Sequence, residues 1–496
     1  MKYVFLAMFV CIMISIGIYS RKKINSVQDF LLGGRKMGPW ITAFAYGTTY
    51  FSAVIFVGYA GRIGWNFGLS SMWIGIGNAV VGSLLAWLVL AKRTRKMTHE
   101  LNASTMPEFF EKRYGSKSMK VFSVFIIFIF LLPYSASVYQ GLGYLFEKVF
   151  GIPFVYCMLA MAVLTGLYLT LGGYIATAIN DFVQGIIMLA GVFLMIYFVV
   201  SNEAVGGLSQ GIQKLSQISS NGRTLADFFG VLPLSLLSLV ILTSLGTWGL
   251  PQMVHKFYAI KDEKSIKYAT VVSTIFALIV ACSAYFMGSF GRLFLGNTIP
   301  SGSNGKPNLD MVMPLLFQKA LPESLMGILV ILILSASMST LSALVLISSS
   351  AISIDLIKGV FIPDLNKKKT MFIMRTLCCV FVLLSFVIAV TPNSILTLMS
   401  FSWGTVSGCF LAPFIYGLYW SKTTKAGAWA GFIVGLGCSV VGVLIYGLNA
   451  SMAPNLGVVS MFASLVAVPF VSLIDIRINA HNISPIAAKQ EDSSVV

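Results

Sequence analysis

The sequence predicts an all-α membrane protein with about 13 transmembrane helices. Three observations carry this. The 496 residues are 57% hydrophobic and 10% charged, with a mean hydropathy of +0.87, where a soluble globular chain carries about 25% charged residues. The apolar runs are continuous over roughly 20 residues instead of alternating, which is the length of a membrane helix and not the pattern of a β-barrel. The 34 Lys and Arg cluster in short segments between those runs. The net charge of +17 therefore reads as a device that sets topology, not as a nucleic-acid surface.

In order, spans are expected at residues 2–20, 39–62, 69–91, 121–146, 153–172, 175–200, 229–254, 268–290, 325–350, 371–391, 395–420, 426–447 and 456–475. The first is followed at once by Arg21-Lys22-Lys23. A signal peptide has its charge before its apolar stretch, so 2–20 reads as a true span with its amino end outside. With that assignment 26 of the 34 Lys and Arg fall on the inner side and 8 on the outer side. The excess is what the positive-inside rule requires, and an odd number of spans then leaves the carboxyl end in the cytoplasm. The long outer segments are 201–228 and 291–324; the second holds Pro300, Pro307, Pro314 and Pro322 and should fold as short interfacial helices. Residues 1–478 are expected to form a single transmembrane domain with its core at 39–420, and 2–20 and 426–475 at its periphery. The polar stretch 479–496 reads as a disordered cytoplasmic tail. No Walker-type lysine loop occurs, which argues against ATP as the energy source.

Two spans are interrupted. The second contains Gly47-Thr48-Thr49-Tyr50-Phe51-Ser52 and the seventh Ser244-Leu245-Gly246-Thr247-Trp248-Gly249-Leu250-Pro251. Unwound backbone at membrane depth survives only inside protein or beside a cavity. The two spans lie five apart, so each can open a five-helix repeat of opposite topology, the arrangement of secondary transporters with a site at the bilayer midplane. Ordinary Gly and Pro kinks are the other explanation.

The ninth span holds a dense run of hydroxyls, Ser335-Ala336-Ser337-Met338-Ser339-Thr340-Leu341-Ser342. On a helix Ala336, Ser339 and Thr340 stand at i, i+3 and i+4 and share one face. One carbonyl and two hydroxyls there form a set of neutral hard oxygens suited to a small hard cation. Back-bonding of the hydroxyls to the preceding turn would also satisfy them.

Asp181, flanked by Asn180 and Gln184, is expected about two turns inside the sixth span and to be the one carboxylate well within a span. A buried membrane carboxylate points to function. Gly427, Gly431 and Gly435, four apart, suit close helix packing. His99, His255 and His481 are expected in inner loops or the tail, and the seven cysteines are expected to be buried and structural. No nucleophile–base pair or paired carboxylates appear, which argues against an enzyme.

The segment 30–38, Leu171-Gly172-Gly173-Tyr174, Asn180-Asp181-Phe182-Val183-Gln184-Gly185, Met338-Ser339-Thr340-Leu341-Ser342, Gly249-Leu250-Pro251 and Ser400-Phe401-Ser402-Trp403, in this order and topology, resemble the sodium:solute symporters, specifically the proline and pantothenate branch. That resemblance implies a thirteen-span fold with a core of two inverted five-helix repeats (APC/LeuT-like). It implies a sodium site made by the carbonyls of Thr48, Phe51 and Ala336 and the hydroxyls of Ser339 and Thr340. Asp181 and Ser342 match a second cation site or release path of relatives such as sialic acid symporters, with Ala343 where a further serine would stand. Ser52, Tyr134, Thr243, Thr247 and Trp403 are the implied solute contacts. Thr243 and Thr247 replace the Trp and Tyr of proline symporters, Ile55 replaces a Gln of the sugar branch, and Thr49-Tyr50 looks like the pantothenate type. No Arg or Lys is expected within the cavity helices.

The implied activity is sodium-coupled import of a small carboxylate-bearing organic solute, whether pantothenate-like, an amino acid or another monocarboxylate, by alternating access across the plasma membrane. The partners are then the solute, Na⁺ and the lipid bilayer, with no cofactor, no nucleic acid and no obligate protein partner. Proton coupling through Asp181, a channel, and a transporter-like sensor are the alternatives. Each predicts a different observable: uptake driven by a pH gradient, single-channel current, or dependence on a signalling partner.

Overall fold

Apolar runs of this length leave backbone N–H and C=O groups no partner outside their own segment, and the chain is accordingly helical along most of its length. The computed structural model describes residues 2–478 apart from 25, 221, 228, 230–232, 303–304, 392–393 and 450; the expected tail at 479–496 lies outside the described residues. Among the described residues, 10 helices are long and apolar enough to cross a membrane. An eleventh candidate is formed by Leu234–Gly249 and Pro251–Ala259, which meet at a 46° bend.

Two of these helices exceed one crossing. Val54–Glu100 has 47 residues and Phe154–Ser201 has 48, about 70 Å of helix against a hydrocarbon core of about 30 Å. Phe154–Ser201 is interrupted at Gly173, whose φ of 48° and ψ of −146° are not helical. A Cβ at Gly173 would lie 2.6 Å from the Phe30 ring, so both conformation and space select glycine. Val54–Glu100 is interrupted at Gly68, also at positive φ, 58°.

Enclosure separates the helices. In an 18-residue apolar stretch of each helix, 94% of the residues are buried in Ile395–Tyr419 and 89% in Glu323–Phe361, against 22% in Tyr3–Arg21. In Lys367–Val390, Lys425–Tyr446 and Ala453–Ile478 only 33% of the residues in such a stretch are buried. The hydroxyl-rich helix Met326–Ser350 is thus surrounded by protein, which is what lets so many polar side chains persist at membrane depth. A Cβ at Gly435 would stand 2.2 Å from the Gly408 carbonyl, the close helix approach that the glycine spacing suggested.

Segment 291–324 folds as the short helices Gly291–Phe294, Leu309–Met311, Val312–Ala320 and Glu323–Leu325, in keeping with its prolines. Segment 201–228 carries the helix Leu208–Ser216 and a two-residue hairpin pairing Ser219–Ser220 with Arg223–Thr224.

The structure corrects five expectations. The seventh span does not end near residue 254: Pro251 starts a new helix that runs to Ala259, because proline's fixed φ and missing N–H suit a first helical turn. His255 and Lys256 are therefore buried on that helix and not in an inner loop, and a lysine does lie inside the helical core. The ninth span continues through π-type turns over Ala351–Phe361 and buries Asp355, which accepts a hydrogen bond from Thr105 Oγ1 at 2.7 Å; Asp181 is not the one interior carboxylate. Of the cysteines, Cys157, Cys378 and Cys409 are buried, while Cys11 and Cys379 are exposed on the sparsely covered outer helices.

Candidate functional site

Helix Pro39–Tyr50 begins with proline at its first turn and stops at Phe51, which is extended at φ −104° and ψ 90°. Past the break, the Ser52 hydroxyl accepts the Val54 N–H at 3.2 Å and starts the π-type turns Val54–Tyr59. The interruption lies where the sequence places it. It faces the middle of Met326–Ser350.

Two hydroxyls of that helix reach across. Ser339 Oγ donates toward the Thr48 carbonyl at 2.9 Å and the Ala336 carbonyl at 3.1 Å. Thr340 Oγ1 is within reach of three carbonyls, Thr49 at 3.0 Å, Thr48 at 3.3 Å and Ala336 at 3.3 Å. Each hydroxyl has one proton to donate, so these contacts are shared and the carbonyls retain lone pairs. All five residues are buried. The result is a knot of five uncharged oxygens from two helices, the donor chemistry that a small hard cation takes. The other hydroxyls of the run back-bond locally, Ser337 to Ile333 at 2.7 Å and Ser342 to Ser339 at 2.9 Å. Both sequence readings of the run thus apply, to different residues.

Of the five residues implied for the sodium site, Thr48, Ala336, Ser339 and Thr340 come together. Phe51 takes no part in their hydrogen bonds; its N–H bonds to Gly47 at 3.0 Å and its ring stacks on Tyr50 at 4.4 Å. The Thr49 carbonyl joins instead, and sequence offered no signal for it, since every residue has a carbonyl.

The implied solute contacts divide. Tyr134 meets Trp403 edge-on, with ring centroids 5.6 Å apart, and Tyr50 lies 6.1 Å from Trp403. The Tyr134 hydroxyl sits among Ser52, Trp403 and Thr340. Neither it nor Trp403 Nε1 makes a close hydrogen bond among the described residues, although both residues are buried. Two unengaged donors on aromatic walls beside the oxygen knot can receive an anionic or polar group. Thr243 and Thr247 are committed elsewhere. The Thr243 hydroxyl contacts Leu239 O at 2.8 Å and Asn78 Oδ1 at 3.0 Å, and that of Thr247 contacts Ser244 O at 2.8 Å. Tyr50 supplies the link to this region, its hydroxyl donating to the Thr243 carbonyl at 2.6 Å.

Asp181 does not stand alone. Lys256 Nζ is 3.5 Å from its Oδ2, with the two side chains 2% and 1% exposed. Ser342 bonds within its own helix; Tyr168, whose hydroxyl donates to Met338 O at 3.0 Å, neighbours both Ser342 and Asp181.

A second pair ties the broken helix to its surroundings. Arg62 contacts Asp310 Oδ1 through Nε at 3.3 Å and Nη2 at 3.2 Å. The other carboxylate oxygen accepts the Ile395 N–H at the start of helix Ile395–Tyr419, at 3.1 Å. Burial raises the Asp310 pKa above the usual carboxylate value, and Arg62 and the Ile395 amide oppose that shift. The Tyr59 and Ser400 hydroxyls hydrogen-bond at 2.6 Å between the same two elements.

The model of the sodium:solute symporter family matches residues 30–435. The osmoregulated proline transporter OpuE of Bacillus subtilis (strain 168) is 30% identical over 481 residues, covering 95% of this chain and 94% of that protein. The sodium/proline symporter of Haemophilus influenzae is 32% identical over 429 residues, covering 85% and 84%. Among solved structures, the substrate-bound outward-open state of a Na⁺-coupled sialic acid symporter superimposes with a TM-score of 0.78 over 95% of this chain and 97% of that one. Its 16% sequence identity makes that a likeness of fold.

Proposed function

Because the chain belongs to the sodium:solute symporter family, we propose that its solute is a compact carboxylate-bearing amino acid of the proline kind, imported together with Na⁺ by alternating access. Na⁺-coupled symport by a multi-pass membrane protein is the general activity; the solute, the site and the orientation are this reading's own. The observation that carries it is the oxygen knot of Thr48, Thr49, Ala336, Ser339 and Thr340 at the helix break. Relatives named for proline and the aromatic walls of Tyr134, Trp403 and Tyr50 support the choice of solute.

In this reading the two overlong helices each make two crossings, which with the bent pair gives thirteen. The second and seventh crossings open two inverted repeats. The amino end is outside and the carboxyl end in the cytoplasm, as the Lys and Arg distribution supports. Na⁺ enters the knot from outside. The Ser339 and Thr340 hydroxyls turn their lone pairs to the ion, and the broken helix and the hydroxyl helix are joined through it. Phe51 can add its carbonyl once the ion is present. The joined break presents Tyr134 and Trp403 to the solute, whose carboxylate is drawn by the ion and by the freed amide end of the outer half-helix. Closure and inner opening then release both, and an inside-negative potential contributes about 2.3 kcal/mol per charge per 100 mV. The coupling is reciprocal, so the solute must tighten Na⁺ by the factor with which Na⁺ tightens the solute.

Thermal unfolding of the purified chain tests this reading. Proline should raise the melting temperature in sodium buffer and leave it unchanged in choline buffer. Tyr134→Phe should weaken proline binding about tenfold, the loss of one hydrogen bond to a charged group, while stabilisation by Na⁺ alone persists. Stabilisation by pantothenate instead of proline would move the solute class, and an equal effect in choline buffer would refute sodium coupling.

A further inference from the structure

Far from the oxygen knot, the segment just after helix Lys2–Arg21 and the first turns of helix Lys367–Val390 enclose a groove of about 370 Å³. One wall is a stripe of the second helix. Lys367 and Lys368, then Met371 and Phe372, then Arg375 follow at intervals of three or four residues and share a face. Ammonium, apolar and guanidinium groups thus stand in a row. Ile24 and Val27 form the opposite wall, and Arg21 is near enough to add its positive field at Arg375. Among the described residues, Lys367, Lys368 and Arg375 form no ion pair, although Asp364 precedes Lys367 by only three positions. Arg375 Nε is buried and makes no close hydrogen bond among them.

For the chain alone this placement is unfavourable. The first turn of a helix is the positive end of its dipole, where carboxylates are favoured. Here it holds Lys367, Lys368 and Lys369 and no acid. Arg375 lies two turns further along a sparsely covered membrane helix, where an unpaired guanidinium is costly. The positive-inside rule accounts for the number of these charges and not for their alignment along one groove. A bound anion accounts for the alignment, because it neutralises the helix start and pairs Arg375 at once. The surroundings specify which anion. Phe372, Leu383 and Val387 are 71%, 61% and 58% exposed and extend the stripe as an apolar track along the same helix. A soluble anion would leave that track unused, whereas acyl chains cover it.

We propose that this groove binds one anionic phospholipid, with its phosphate among Lys367, Lys368 and Arg375 and its acyl chains along the outward apolar face of the helix. Basic pockets between membrane helices suit such headgroups. In the orientation proposed above the lipid belongs to the cytoplasmic leaflet. The site itself depends neither on that orientation nor on which ion or solute is carried.

Native mass spectrometry of the delipidated full chain, titrated with phosphatidylglycerol or phosphatidylcholine, tests the proposal. Wild type should retain one phosphatidylglycerol at concentrations where phosphatidylcholine is not retained. Lys367→Glu/Lys368→Glu should bind phosphatidylglycerol at least about 100-fold more weakly, since each basic group near an anionic headgroup contributes about fivefold and reversal doubles the loss. Acids are favoured at that helix start, so the lipid-free variant should melt no lower than wild type. Lys264→Glu/Lys267→Glu, which reverses two exposed lysines at the start of helix Glu263–Ser289, should bind the lipid as wild type does. Arg375→Gln should weaken binding about fivefold. Equal retention of the two lipids by wild type would overturn the proposal, as would equal losses in the two double variants. Displacement of the lipid by inorganic phosphate as readily as by phosphatidylglycerol would also overturn it, because the acyl chains would then contribute nothing.

Discussion

Thr340→Ala should raise the sodium concentration needed for half-maximal uptake by about 10- to 100-fold, and Ser339→Ala by a similar or somewhat smaller factor. The range follows from deleting one oxygen from a buried ion: interactions with a charged group are worth about 1.5–3 kcal/mol, and each 1.4 kcal/mol is about tenfold. Thr340 is the larger of the two because its hydroxyl spans the carbonyls of Thr49, Thr48 and Ala336, while Ser339 touches Thr48 and Ala336. At saturating sodium the solute KM should return close to wild type, because the ion alone is lost. Thr340→Ser should restore most of the sodium affinity, since it keeps the oxygen and removes a methyl. Ser337→Ala on the same helix is the control: its hydroxyl serves only Ile333, and sodium dependence should be unchanged. Uptake titrated against sodium in proteoliposomes reads all four.

Arg62→Ala should destabilise the folded protein by up to about 3 kcal/mol, the lower end for breaking a buried ion pair by removing one partner. Asp310 is 1% exposed and would be left without its cation, whereas Arg62 is 18% exposed and keeps some access to water. The effect is therefore asymmetric, and Asp310→Asn should cost less, since an amide oxygen can still accept the Ile395 N–H. The double variant Arg62→Ala/Asp310→Asn should be more stable than Arg62→Ala alone, because the buried charge has gone. Thermal melts of the four proteins check the ordering. Equal losses for the two single variants with no recovery in the double would show that the pair contributes only packing.

Much of the site was legible because hydroxyls and helix breakers are rare within apolar runs. Ala336, Ser339 and Thr340 share a face by spacing alone, and Gly47 to Ser52 marks the break that meets them. What sequence could not supply was the choice among carbonyls. Thr49 and Phe51 carry the same backbone oxygen, and only the exit angle at Phe51 decides which one the Thr340 hydroxyl meets.

Lys256 was hidden for a different reason. An apolar window closes at the first charge, so a lysine one turn past Pro251 reads as the start of a loop. The better signal was Pro251 followed by a mostly apolar stretch to Ala259, which begins a helix instead of ending one. The contacts of Thr243 with Asn78, and of Arg62 with a carboxylate 248 residues away, depend on tertiary structure that no local pattern encodes.

The most direct measurement is a structure of the full chain in sodium, at a resolution that separates ion–oxygen contacts from hydrogen bonds, compared with one in choline. The account predicts an ion bonded to the Thr48 and Ala336 carbonyls and the Ser339 and Thr340 hydroxyls in sodium, and its absence in choline, with those hydroxyls returned to the carbonyls. It would be contradicted by those oxygens bonded only to one another in both conditions, with the sodium-dependent density elsewhere.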